Sequence, residues 1–283
     1  MNDKRPHAPA RVAALLLPAL LLPVLWAFCG LYPRPAAAFT GTEVPVPPGL
    51  AADPTAGPDA AAAAFVGIPY RQDGGIDEHG RFTLFARPEL RFAGPGLNCS
   101  GLVLGLSRFL LGKNISLKDA ARDRLGDSGP DATAGEDWDF GWDLILNISQ
   151  GTPRTLLLPG FRIADPEAGS GKAPRGFVIH ETGSLPELCG RMRRGFFYLV
   201  SFSVEGHRRG YGLQHYHVGL ILPSATGEAW FYQTSGKRGR SVRWDLNSED
   251  GRAAFRRAFA DTGNRRKMML VLEIDLPHRA YRG

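Results

Sequence analysis

Cysteine is scarce in this chain, with only Cys29, Cys99 and Cys189 in 283 residues. That excludes a small fold held by a disulfide framework, and a domain this size buries an adequate core without such staples. No internal repeat is visible. Charge of one sign is also in short supply once the first segment is set aside. Residues 1–38 carry four of the 34 basic and one of the 28 acidic residues, so the remainder has 30 against 27, a net of +3. So small an excess gives no argument for nucleic acid. Long apolar runs are confined to the start. Lys4, Arg5 and Arg11 precede an uncharged stretch from Val12 to Tyr32, and Pro35-Ala36-Ala37-Ala38 follows with small residues.

That order reads as a secretory signal. The run is close to the length that spans a bilayer, so an uncleaved inner-membrane anchor is the alternative. Pro18 and Pro23 within it favour the signal. Either reading makes the protein an exported one, periplasmic or held at the cell envelope. Residues 39–64 form a Pro/Ala-rich linker ending in a short alanine-rich helix, and the folded domain runs from Phe65 to the end.

Within the domain, Leu102, Val103, Leu106, Phe109 and Leu110 recur at helical spacing, which predicts a helix from Asn98 with one apolar stripe, stopped by Gly112. A second helix is expected from the capping-box-like Ser116 to about Leu125. Residues 126–190 are rich in Gly, Pro, Asp and Trp and read as an insertion with local structure, including a short helix opened by Asp137 to Trp142. Thr155 to Pro159 is either a strand or a buried loop. Strands are expected at Phe196–Val204, Tyr216–Leu222, Ala229–Thr234 and Met268–Leu276, with a helix capped by Ser248 before the last. Helices first and an antiparallel meander afterwards make an α+β fold.

Cys99 opens the first helix, in Asn98-Cys99-Ser100-Gly101. Unpaired N–H groups and the helix dipole there favour a thiolate, small Ser100 and Gly101 leave the sulfur approachable, and the helix end offers donors to an oxyanion. Cys189, in an apolar helix-like turn, reads as a buried structural thiol. Of the seven histidines, His217 opens an apolar strand and is the candidate base. His215 is two residues earlier and so on the same face of an ideal strand. The pair also suits a metal, but no further ligand cluster accompanies it, and a catalytic zinc site needs three protein ligands. With the hairpin turn centred on Ala225, Gln233 falls opposite His217 and within reach of its ring.

Gly67-Ile68-Pro69-Tyr70-Arg71-Gln72-Asp73-Gly74-Gly75, Asn98-Cys99-Ser100-Gly101-Leu102-Val103, His217-Val218-Gly219 and Phe231-Tyr232-Gln233-Thr234-Ser235 occur in that order. Together they resemble the NlpC-type cell-wall cysteine peptidases over roughly Phe65–Leu125 and Arg191–Leu276. The resemblance implies a papain-like α+β fold, with the Cys helix packed on an antiparallel sheet that carries the His. It implies hydrolysis of amide bonds in peptidoglycan stem peptides, with Cys99 as nucleophile, His217 as base and Gln233 as orienter. Tyr70, Asn98 and Ser100 would lie against the substrate, and no metal or organic cofactor is implied. The chain departs from the family at Asn98, where Asp is usual for recognising a substrate amine, and in two extra segments, Arg81–Pro95 and 126–190. Two alternatives keep the sequence features: an amidase or acyltransferase of the same fold acting on a non-wall substrate, and a non-catalytic wall-binding protein.

Overall fold

The structure is a computed structural model that describes residues 57–124, 140–164, 176–181, 183–205, 213–261, 263 and 265–277. The proposed signal, residues 39–56 of the linker, Trp138 and much of the 126–190 segment lie outside the described residues. The described residues belong to one compact unit, Ala38–Gly283.

A short helix, α1 (Pro58–Ala63), starts with Pro at its first position and leads into a small antiparallel sheet of β1 (Gly74–Ile76), β2 (Phe82–Leu84) and β3 (Arg91–Phe92). The Arg81–Pro95 segment, absent from the motif pattern, is what supplies β2 and β3. Helix α2 (Cys99–Leu111) follows, capped at its start by Asn98, whose side-chain oxygen accepts from the Gly101 N–H at 2.8 Å. Gly112 ends it in the left-handed conformation at φ 62°, where glycine meets no Cβ penalty.

The sequence predicts one apolar stripe on α2, yet the helix is buried on nearly every side, because β1 and α1 cover one flank and the main sheet the other. Even Arg108 is buried. Its guanidinium donates to the carbonyls of Ile115 (2.7 Å), Ile76 (2.6 Å) and Asp77 (2.9 Å), and burial lowers its pKa to about 10.

The second helix is shorter than expected. It is a single turn, α3 (Leu117–Ala120), capped by Ser116. Helix α4 (Phe140–Ile148) is next, and then β4 (Arg154–Leu158) and β5 (Phe161–Ala164). These two are not a local appendage, since β4 pairs with the last strand of the main sheet and β5 pairs with β4. The segment read as an insertion therefore builds one edge of the sheet. After β6 (Phe177–Val178) and α5 (Ser184–Gly190) come β7 (Phe196–Glu205), β8 (Leu213–Pro223), β9 (Ala229–Thr234), β10 (Ser241–Asp245), α6 (Glu249–Ala258) and β11 (Lys267–Asp275).

Among the described residues the main sheet has the order β10-β9-β8-β7-β11-β4-β5, with β6 also on β11, and every recorded pairing is antiparallel. The fold is α+β. Helix α2 packs over β8 and β9, α4 packs over β7 and β8, and the two helices touch, so they share one face of the sheet. The opposite face holds the rings of Phe202, Phe231 and Trp244, with Phe255 of α6 and Phe259 just past it laid against them. Cover on both faces explains why β7, β8 and β11 are buried almost continuously instead of alternating.

Candidate active site

Four local features fix Cys99. The Asn98 N–H donates to the Gly74 carbonyl at 2.8 Å, and the Leu97 N–H to that of Pro69 at 3.0 Å. Tyr70 bridges Leu97 in parallel fashion. Gly101 then lets α2 press onto β1, since a Cβ there would stand 2.2 Å from the Gly74 carbonyl oxygen. The result is a partly buried Cys99 residue at the first turn of α2. Among the described residues neither Cys99 nor Cys189 is in a disulfide.

The Cys99 thiol is pushed up rather than down. Burial is the dominant cause, opposed by hydrogen bonds to the sulfur from the Val218 N–H, the Ser100 hydroxyl and N–H, and the Cys99 N–H. The helix terminus works in the anticipated direction, but desolvation exceeds it. Pairing of β8 with β9 is recorded from Pro223↔Ala229 to Leu220↔Tyr232 and stops there, short of Val218. Ser100 is buried beside the sulfur. Asn98 spends its carboxamide oxygen on capping the helix. Tyr70 stands beside Cys99: its phenol is pushed up by burial and then by the charges of Cys99 and Asp73, while its hydroxyl donates to Gln72 Oε1 at 3.0 Å.

The histidines are arranged differently from the ideal-strand expectation. Phe202 pairs with His217 but Ser203 pairs with His215, so Tyr216 is an extra residue in β8 and forms a β-bulge. The extra residue reverses the side-chain alternation, and the two histidines point to opposite faces. On the α2/α4 face, His215 packs its ring 5.7 Å from that of Phe140. A Cβ on Gly141 of α4 would lie 2.1 Å from His215 Nδ1 and 2.7 Å from Ser201 Oγ. On the α6 face, the His217 ring lies 5.7 Å from Phe202 and 5.4 Å from Phe259. His215 is lowered to about 3 by burial and then by the charge of His217, against a hydrogen bond to the Phe202 carbonyl. His217 is lowered to about 4 by burial and then by Lys267. Both imidazoles are therefore neutral at pH 7.

The hairpin turn centres on Thr226 rather than Ala225, as Pro223↔Ala229 and Leu220↔Tyr232 show. Continuing that register sets Gln233 opposite Gly219, so it does not face His217 directly. Gln233 is buried and, by alternation from Phe231, shares the α6 face with His217. The structure thus brings together Cys99, Ser100 and Tyr70, places His215 on the face of the Cys99 helix, and sends His217 and Gln233 to the other side. In the sequence His215 stands out only as a metal ligand, because the bulge at Tyr216 has no mark in a strand of ordinary composition. Among the described residues no group of three or more His, Cys, Asp or Glu side chains could hold a metal ion, and no helix is long and apolar enough to cross a membrane. Cys189 is buried in α5, its thiol pushed up to about 12 chiefly by burial.

No family model matches the sequence. No curated protein matches it either. Among solved structures the chain is similar to protein LPG0564 from Legionella pneumophila str. Philadelphia 1, described by the family model DUF1460, at 15% identity and a TM-score of 0.40, over 76% of this chain and 87% of that one. DUF1460 is a different family from the NlpC type that the motifs resemble, and a likeness of this degree assigns neither family nor activity.

Proposed function

We propose that the chain is an exported cysteine hydrolase of papain-like plan that cleaves amide bonds, with peptidoglycan stem peptides as its substrate class. The observation that carries the reading is the position of Cys99. It stands on the first turn of a buried helix, with Tyr70 beside it and its sulfur against Val218 of a strand that bears two buried neutral imidazoles. With the thiol protonated at rest, the sulfur attacks the substrate carbonyl as an imidazole takes its proton. The same imidazole then protonates the leaving amine, and water releases the acyl group from sulfur. N–H groups at the start of α2 are the donors available to the oxyanion. The substrate class rests on the ordered motifs around Tyr70, Cys99, His217 and Gln233.

A second reading keeps the chemistry and changes the substrate. Asn98 is neutral where a carboxylate would pair with a substrate amine, and its oxygen is engaged in the helix cap. That favours acyl or amide substrates outside the wall. Mass spectrometry of a defined muropeptide mixture incubated with the protein, beside Cys99→Ala, separates the two. A fragment that requires Cys99 supports wall-peptide hydrolysis. Unchanged muropeptides together with a reactive Cys99 favour the second reading, and cleavage that persists in Cys99→Ala removes the nucleophile.

A further inference from the structure

We infer that the Cys99 site selects substrates with a carboxylate near the scissile amide, and that Arg71 is the residue that takes it, aided by Lys237 and Arg240. The inference rests on Cys99 being the nucleophile, as proposed above.

Tyr70 joins the parts. The charge of Cys99 acts on its phenol. Its ring borders Gly236, where a Cβ would stand 3.3 Å from Cε1. The Tyr70 N–H donates to the Gly239 carbonyl at 2.8 Å, and Pro69 before it bridges Arg240. The β9–β10 turn Ser235-Gly236-Lys237-Arg238-Gly239-Arg240 therefore lies against the residue that stands beside the sulfur, with Lys237 and Arg240 exposed.

Arg71 follows Tyr70 in the chain. Its N–H donates to the Leu97 carbonyl at 3.1 Å, and its side chain crosses the backbone at Gly96, where a Cβ would stand 2.5 Å from Nε. Gly96 is three residues before Cys99, a span of at most about 11 Å. Phe92, supplied by the Arg81–Pro95 segment, holds the guanidinium carbon 3.8 Å from its ring centroid. The Nε–H is buried without a hydrogen-bond partner, while the residue as a whole stays partly exposed. Among the described residues no carboxylate pairs with Arg71, Lys237 or Arg240. Arg238 is engaged elsewhere, 5.3 Å over the Trp244 ring. Asp73, the acid whose charge reaches Tyr70, accepts from the Ala86 N–H through Oδ2.

A guanidinium stacked on a ring keeps its in-plane donors for a partner, and that fork matches a carboxylate. The two cations of the turn add a field that draws an anion toward the site. Asn98 is neutral and its oxygen is engaged in the helix cap, so it offers nothing to a substrate amine. The charge preference is therefore for an acid.

The test needs no substrate. It compares 3-maleimidopropionate with its amide, two thiol reagents of equal shape that differ in one charge. Both add to the Cys99 thiolate, so the ratio of their rates does not depend on how much thiolate is present. A general loosening of the fold alters both rates together. Peptide mapping of the full chain at pH 7 gives the ratio at Cys99, with 2-mercaptoethanol as the reference thiol. At low ionic strength Cys99 is expected to favour the acid by about fivefold or more relative to that reference. At about 1 M salt, where the Debye length is about 3 Å, the preference should largely vanish. Arg71→Gln should remove most of it and the pair Lys237→Gln with Arg240→Gln a smaller part. Arg71→Lys, which keeps the charge and loses the fork, should fall between Arg71→Gln and wild type. A wild-type ratio equal to that of the reference, or one that Arg71→Gln leaves unchanged, overturns the assignment and leaves Cys99 as nucleophile. A folded chain in which neither reagent modifies Cys99 removes the nucleophile, and with it the reading on which the assignment rests.

Discussion

At the scale of single residues, two side chains hold the Cys99 helix in place by satisfying backbone groups. Arg108 closes three carbonyls from two different segments, Ile76 and Asp77 of the small sheet and Ile115 after α2. Replacing it by leucine would keep the apolar stem and strand those acceptors in a dry interior. Arg108→Leu is expected to cost about 2–4 kcal/mol, read as a lower urea midpoint with unchanged slope. Asn98 works at the other end of α2 by accepting the Gly101 N–H. Asn98→Ala should cost about 1 kcal/mol, whereas Asn98→Ser, which can cap in the same way, should recover most of it. Both residues fall within stretches that the sequence presents plainly. Asn98 reads as the start of a helix, but nothing in the spacing marks Arg108 as buried, because its partners are carbonyls 31 and 32 residues earlier in the chain.

At the scale of elements, the site depends on how closely α2 approaches β1. The gap is set by glycines: a Cβ on Gly101 would meet the Gly74 carbonyl oxygen at 2.2 Å, and one on Gly105 the Phe65 ring at 2.9 Å. The first neighbour is backbone and cannot swing aside. Gly101→Ala should therefore displace the N-terminal turn of α2, cost about 1–3 kcal/mol and reduce turnover, since Cys99 is two residues away. Gly105→Ala meets only a ring edge and should be milder in both respects. A thermal midpoint measured beside Cys99-dependent activity for the two variants checks the ordering. Elements were legible where local chemistry decided them. Asn98 and Gly112 bracket α2, Ser248 starts α6, and the expected Ala229–Thr234 strand is β9. Elements that a neighbouring strand makes were less so, although Thr155–Pro159 was already open to a strand and overlaps β4. β10 has a charged, partly exposed pattern and is a strand because β9 lies beside it, and β4 and β5 extend the sheet from a segment with no clear period. The bulge at Tyr216 belongs to the same class, and it decides which histidine shares a face with Cys99.

At the scale of the whole molecule, the sheet is covered on both sides, and that burial governs the response to acid. His215 and His217 are neutral in the folded protein, lowered to about 3 and about 4, chiefly by desolvation. In the unfolded chain each would titrate near its ordinary value of about 6.5. Between those limits the unfolded state binds more protons, so stability rises with pH there and is lost as pH falls below about 6.5. Each histidine contributes at most about 1.4 kcal/mol per pH unit across that window, or about 2 kcal/mol between pH 6.5 and pH 5. Asp77 acts in the same sense but later. Burial raises its carboxyl, hydrogen bonds from Arg81 and His79 outweigh that, and the lowered group matters only below the ordinary carboxylate range. Urea titrations at pH 7 and pH 5 should show wild type losing up to about 4 kcal/mol, and His217→Phe losing about half as much. Equal losses in the two proteins would mean that His217 is not held neutral in the aromatic layer. Activity should follow a different course over the same range. The proposed base would be active when neutral, and with His215 lowered to about 3 and His217 to about 4 either imidazole keeps that form at pH 5. A rate that holds from pH 7 to pH 5 while the unfolding free energy drops is therefore the signature of a buried neutral imidazole at the Cys99 site.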